Sequence, residues 1–227
     1  MSQQEQRPIV ALIYDFDGTL SPGNMQEYDF IPAVGKSNRD FWEESNDTAR
    51  EQDGDPLLAY MYRMLHEAKS TGKSLRYEAF VQSGSRIGLY EGVEEWFSRI
   101  NAYGASKGLE IQHFINSSGL REMIEGTSIA KEFRKIYACS FLYDVDGVAY
   151  WPAVAVNYTN KTQFIFKINK GIESVYDSQR INEYIEEEER PVPFRRMIYF
   201  GDGTTDILRS ICLLLSRLAL FTSWELF

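Results

Sequence analysis

Asp15-Phe16-Asp17-Gly18-Thr19 and Gly201-Asp202-Gly203-Thr204-Thr205-Asp206 are acidic clusters near opposite ends of a 227-residue chain. Each follows a short apolar run, Ile9 to Tyr14 in one case and Met197 to Phe200 in the other. Carboxylates at the ends of hydrophobic strands would share one edge of a parallel sheet, where open α/β folds bind ligands. Crowded together they repel one another unless a cation sits between them, and hard oxygen donors suit Mg²⁺. Asp15 and Asp17, two apart on an extended chain, point to one face, and Gly18 allows a tight turn. One of these carboxylates can attack phosphorus while the other protonates the leaving oxygen. Asp202 and Asp206, four apart, suit a loop residue and a residue one helical turn later. The plain alternatives are an Asp-Gly strand end and a glycine-rich turn with solvated acids.

Other residues could receive an anion. Ser117-Ser118-Gly119 follows an apolar strand and offers a hydroxyl with exposed backbone amides at a helix start, although such runs also serve as simple helix caps. Lys161 sits near a helix start, the end that cations avoid, and a nearby phosphate or carboxylate cluster would account for it. Lys167 and Lys170 read as surface lysines, Lys170 being the competitor of Lys161. Asp144-Val145-Asp146-Gly147 imitates the first pentad, but lies between two strand-like runs and reads as a hairpin turn. His66 and His113 have no partner at metal-binding spacing and are expected to be structural or exposed. Cys139 and Cys212 form neither a disulfide framework nor a ligand set, which fits buried thiols in a reducing compartment.

The elements that must position these groups follow from hydrophobic periodicity. Residues 9 to 15 read as a buried strand. From Pro22 to Tyr90 no strand is evident. Phe41, Trp42 and Ala49, then Leu57, Leu58, Met61, Met64 and Leu65, recur at helical spacing, with Asp55-Pro56 starting one helix and a third helix near Leu75 to Ser83. Val93, Trp96, Phe97 and Ile100 line another helix, ended by Gly104 to Gly108. A strand at Ile111 to Ile115 leads through the serines into a helix reaching about Glu125. A strand near Ile136 to Tyr143 then turns back along Val148 to Trp151. A helix begins at Thr159-Asn160-Lys161, capped by Thr159 or Asn160. The glutamates of Glu183 to Arg190 read as a solvated helix end and loop.

Bulk composition bounds the rest. Hydrophobic residues at 44% and aromatics at 14% supply a core, and the length allows one domain with a smaller insertion. A formal charge of −9 disfavours non-specific binding to nucleic acid or an anionic membrane. Met1 to Pro8 carries no signal-peptide pattern, and Ile211 to Phe221 is too short to span a bilayer. A cytoplasmic protein is expected.

Taken in order, these motifs resemble the haloacid dehalogenase-like hydrolase superfamily. The Asp15 pentad matches its first motif, Ser117 its second, a helix-start lysine its third, and Gly201-Asp202 with Asp206 its fourth. The Ser117-Ser118-Gly119 run is most similar to the phosphoserine-phosphatase-like branch. The resemblance implies a Rossmann-like parallel sheet flanked by helices, with residues 1–21 and 91–227 as catalytic core and 22–90 as an inserted α-helical cap. It further implies that Asp15 forms an aspartyl-phosphate and that Asp17 acts as acid and then base. Asp15, the Asp17 carbonyl, Asp202 and Asp206 would hold Mg²⁺, while Ser117, Ser118 and Lys161 would hold the phosphoryl oxygens. An acid at position 17 favours phosphate-ester chemistry, since the family's dehalogenases lack one there.

The implied function is hydrolysis of a small phosphorylated metabolite. The alternatives are a protein phosphatase, which an inserted cap would hinder, and a phospho-acceptor module, which Asp17 disfavours. Arg39, Trp42 and Arg86 are the cap residues expected to read the substrate; oligomeric state has no sequence signal. Two departures from the pattern stand out. The interval from Lys161 to Asp202 is long, keeping Lys170 in contention. The 21 residues after Asp206 are leucine-rich and lack the glycine-marked strand usual in the family, so an altered C-terminal end is expected.

Overall fold

The computed structural model describes residues 7–177, 179–202 and, as backbone, 219–222. Six strands form one sheet in the order β4-β3-β2-β1-β5-β6: β1 Ile9–Tyr14, β2 Glu110–Leu120, β3 Phe133–Tyr143, β4 Ala149–Val154, β5 Met197–Gly201 and β6 Ala219–Thr222. All neighbours pair parallel except β3 and β4, the antiparallel hairpin expected around Asp144 to Gly147. Gly147 closes that turn at φ +73°, its N–H donating to Asp144 O. Helices flank the sheet, giving the Rossmann-like α/β architecture that the motifs imply. The strand β6 falls inside the leucine-rich tail, where the sequence offered no strand punctuation.

β1 is apolar without alternation because helices cover both faces of the sheet, as parallel strands require. Ala11 to Tyr14 are buried at 0 to 2% exposure. Tyr14, the residue before Asp15, anchors that end. Its hydroxyl accepts from Trp96 Nε1 at 2.8 Å and bonds His113 Nδ1 at 3.0 Å, while His113 Nε2 meets Asn101 Oδ1 at 2.9 Å. His113 is thus a buried core residue, and His66 is largely exposed.

Between β1 and α5 (Val93–Ser106) the described chain is helical: α1 Phe30–Ala33, α2 Asn38–Glu51, α3 Pro56–Thr71 and α4 Tyr77–Gly84. α3 begins as Asp55-Pro56 predicts, Asp55 Oδ1 accepting from Leu57 N at 2.7 Å and Leu58 N at 3.3 Å. α4 packs backbone to backbone on α6 (Arg121–Glu125), because a Cβ at Gly84 would collide with Met123 O and one at Gly126 with Val81 O. No helix among the described residues is long and apolar enough to cross a membrane.

Three expectations need correction. Ser117-Ser118-Gly119 is not a helix start. It lies inside β2, and α6 begins only at Arg121. The β2–β3 ladder passes from Asn116↔Tyr137 to Leu120↔Cys139, so four steps on β2 match two on β3 and the serines arch out of register. Second, α7 (Lys161–Asn169) takes Asn160 as its N-cap by position, but that side chain makes no capping bond. Asn157 instead shapes the turn ahead of the helix: its Oδ1 accepts from Thr159 N and Asn160 N, both at 3.0 Å. Third, Lys167 is 3% exposed, not a surface residue, with its ammonium donating to Ser174 O at 2.9 Å and Asp177 O at 2.6 Å.

Candidate active site

The carboxyl ends of β1, β2 and β5 meet at one edge of the sheet. Asp15 N donates to Phe200 O at 2.9 Å, which sets the first pentad beside Gly201-Asp202. Past Asp15 the chain turns at once: Leu20 N and Ser21 N return to Phe16 O, and Gly18 N donates to Ser21 O at 2.7 Å. Gly18 holds φ +76°, and a Cβ there would strike the Asp202 carboxylate. Two acidic motifs separated by most of the chain therefore touch, and the absence of a side chain at position 18 is what lets them.

Asp15 is 15% exposed at its side chain. Its Oδ1 accepts from Phe16 N at 2.8 Å, and its Oδ2 lies 2.5 Å from Lys161 Nζ. Lys161 is 3% exposed at its side chain, and its buried charge is paired with the Asp15 carboxylate. Its own backbone is pinned by Asn157 O, which accepts from Lys161 N at 3.0 Å, and by Asn116 Nδ2, which donates to Lys161 O at 3.0 Å. Lys170 is turned elsewhere, donating to Ile181 O at 2.6 Å and to Glu183 O. Geometry thus brings Lys161, not Lys170, to Asp15.

Asp17 Oδ1 accepts from Met25 N at 3.0 Å, and a Cβ at Gly119 would come to 3.2 Å from Asp17 Oδ2. The arch of β2 is consequently beside Asp17. Burial, reinforced by the negative charge of Asp15, pushes the Asp17 carboxyl well above the usual carboxylate range. Ser117 is buried, its Oγ accepting from Gly119 N at 3.1 Å. Ser118 O accepts from Tyr60 Oη at 3.1 Å and Cys139 Sγ at 3.3 Å. Cys139 is a buried thiol pushed up to about 11 by burial, as expected of it.

Of the three residues expected to read a ligand, Trp42 donates Nε1 to Glu27 Oε1 at 2.7 Å. Glu27 is close enough for its charge to raise the Asp17 carboxyl further. Arg39 meets its neighbour Asp40 at the surface, and Arg86 is paired with Asp29. Asp206 and Cys212 lie outside the described residues. Asn116, Asn157, Tyr60 and Glu27 were not singled out from the sequence. Asn157 alone carried a local signal, an asparagine two and three residues before the amides it accepts from.

The described donors beside the pentad are the Asp15 and Asp202 carboxylates and the Asp17 carbonyl, all hard oxygens of the kind that suit Mg²⁺. Among the described residues no three His, Cys, Asp or Glu side chains converge on one point. The set thus fits a hard cation in kind.

The family model for haloacid dehalogenase-like hydrolases matches residues 12–208. An uncharacterized protein of Borreliella burgdorferi is 31% identical over 227 residues, covering 89% of this chain and 78% of that protein. A substrate-bound phosphoserine phosphatase superposes with a TM-score of 0.58 at 15% identity, covering 96% of this chain and 87% of the other. A HAD family hydrolase from Salmonella enterica serovar Typhi gives 0.57 at 18% identity over 88% of this chain, which spans only 59% of that protein's length. At these identities the two structures speak for a shared fold. The family match extends over most of the sequence and takes in both the Asp15 pentad and Asp202, so this protein belongs to the haloacid dehalogenase-like hydrolases.

Proposed function

We propose that the protein is a Mg²⁺-dependent phosphatase that hydrolyses a small phosphorylated metabolite through an aspartyl-phosphate on Asp15. The observation that carries this reading is the 2.5 Å contact of Lys161 Nζ with Asp15 Oδ2, made where the other motifs also meet. An Asp15 carboxylate oxygen attacks phosphorus and the ester P–O bond breaks. Asp17, inclined to hold a proton by its burial, gives that proton to the leaving alcohol. Water then attacks the phosphorus of the intermediate, Asp17 takes its proton, and phosphate leaves as the bond to Asp15 breaks. Ser117, Ser118 and Lys161 hold the phosphoryl oxygens and the charge in transit. Asp15, the Asp17 carbonyl and Asp202, with Asp206, would hold Mg²⁺, which when bound offsets the repulsion between carboxylate and phosphate.

In this reading residues 1–21 and 91–227 are the catalytic core, and 22–90 are an α-helical cap over the site. The all-helical run from α1 to α4 supports that division. The reading also places the protein in the cytoplasm, in keeping with the free thiol of Cys139. The test is hydrolysis of p-nitrophenyl phosphate with Mg²⁺. Asp15→Asn is expected to abolish it and Asp17→Asn to reduce kcat about 10²- to 10⁴-fold. Normal turnover by Asp15→Asn would remove the nucleophile, and phosphate trapped on Asp15 without turnover would favour a phospho-acceptor module.

A further inference from the structure

The geometry points to Asp55 as a positioning residue for Lys161, an inference that rests on the phosphatase reading. The two oxygens of the Asp55 carboxylate do different things. Oδ1 accepts from Leu57 N and Leu58 N and starts α3, while Oδ2 accepts from Asn157 Nδ2 at 2.9 Å. Asn157 is the residue that organises the start of α7. Its side-chain oxygen takes Thr159 N, Asn160 N and, at 2.6 Å, Thr159 Oγ1, and its backbone oxygen takes Lys161 N. With that oxygen fully engaged, the Asn157 amide group must point its NH₂ away, and Asp55 is the acceptor waiting there. One half-buried carboxylate thereby ties the first turn of α3 to the loop that aims Lys161 at Asp15.

A second contact on the same helix supports this. Five residues along α3, Tyr60 is 5% exposed and donates to Ser118 O, on the opposite phosphate-side element. α3 therefore grips both the arch of β2 and the approach to α7. Through these bonds a helix of the proposed cap fixes the spacing between the serines and Lys161. Displacing α3 would loosen both at once, which couples cover and chemistry through Asp55.

The contact has a polarity that can be reversed. Asp55→Asn sets one NH₂ group against another and Asn157→Asp one carboxylate against another, but the double variant restores one donor and one acceptor and conserves net charge. Each single variant is expected to lower kcat on p-nitrophenyl phosphate about tenfold with KM within about twofold, and to weaken orthovanadate binding by the same factor as kcat. The double variant should recover both to within about threefold. Asp55→Ser, which still caps α3 but cannot reach Asn157, should show the single-variant loss even if another variant fails to fold. Single variants with lowered melting temperatures but wild-type kcat and vanadate affinity would overturn the inference, as would a double variant that does not recover. A wild-type protein that binds vanadate without turnover would sink the phosphatase reading alone, leaving Asp55 to be judged on the vanadate cycle. Wild-type protein that does neither would sink both.

Discussion

At the scale of single residues, the site depends on what is missing at position 18. Gly18 carries a positive φ, which costs an L-residue about 1–2 kcal/mol, and it also faces the Asp202 carboxylate. The two demands can be separated. Gly108 has nearly the same φ, +72°, but open space where a Cβ would go. Gly108→Ala should therefore lose about 1 kcal/mol of stability and keep its activity. Gly18→Ala should lose a similar amount and also displace Asp202 from the pentad; on the proposed reading this raises the Mg²⁺ concentration for half-maximal hydrolysis at least tenfold. A magnesium titration of the two variants side by side checks this. Equal curves would mean that Asp202 does not serve the cation.

Elements show where sequence reading succeeds and where it stops. The ends of β1 and β5 were legible because a fully buried strand needs an unbroken apolar run, and the acids that interrupt it can only sit at its edge. The start of α3 was legible because Asp-Pro caps and preorganises a first turn within three residues. The arch of Ser117 to Gly119 was not legible, since two extra residues in a ladder depend on the partner strand, Tyr137 to Cys139. The burial of Lys167 is hidden from the sequence for a similar reason: the carbonyls that receive its charge come from a loop returning at Ser174 and Asp177. The link from Tyr60 to Ser118 joins positions 58 apart and leaves no local pattern. The packing of α4 on α6 is equally non-local, and it gives a prediction at this scale. Gly84→Ala would push a methyl into Met123 O with no flexible side chain to yield. A loss of about 1–3 kcal/mol in denaturant unfolding is expected, and an unchanged midpoint would mean that the two helices can separate at little cost.

For the whole molecule, the chain of bonds from Trp96 through Tyr14 and His113 to Asn101 links stability to pH. Burial lowers His113 from its ordinary 6.5 to about 4. Below pH 6.5 the unfolded chain takes up a proton on this imidazole and the folded one does not, until about pH 4. The stabilising contribution is therefore complete above pH 6.5, is lost as pH falls toward 4, and changes no further below that. At about 1.4 kcal/mol per pH unit the loss approaches roughly 3 kcal/mol. Glu122 and Asp17 act in the opposite sense, because burial raises both carboxyls and the folded state then holds protons that the unfolded state releases. The total pH dependence of the wild type thus mixes the two signs, and a comparison with a variant isolates the imidazole. His113→Gln keeps a donor and an acceptor between Tyr14 and Asn101 but cannot titrate. Urea unfolding at intervals from pH 7 to 4 should show the wild type losing up to about 3 kcal/mol relative to His113→Gln, all of it between pH 6.5 and 4. Parallel profiles would mean that His113 is protonated as readily in the folded protein as in the unfolded chain, and that the core beneath Asp15 admits the charge.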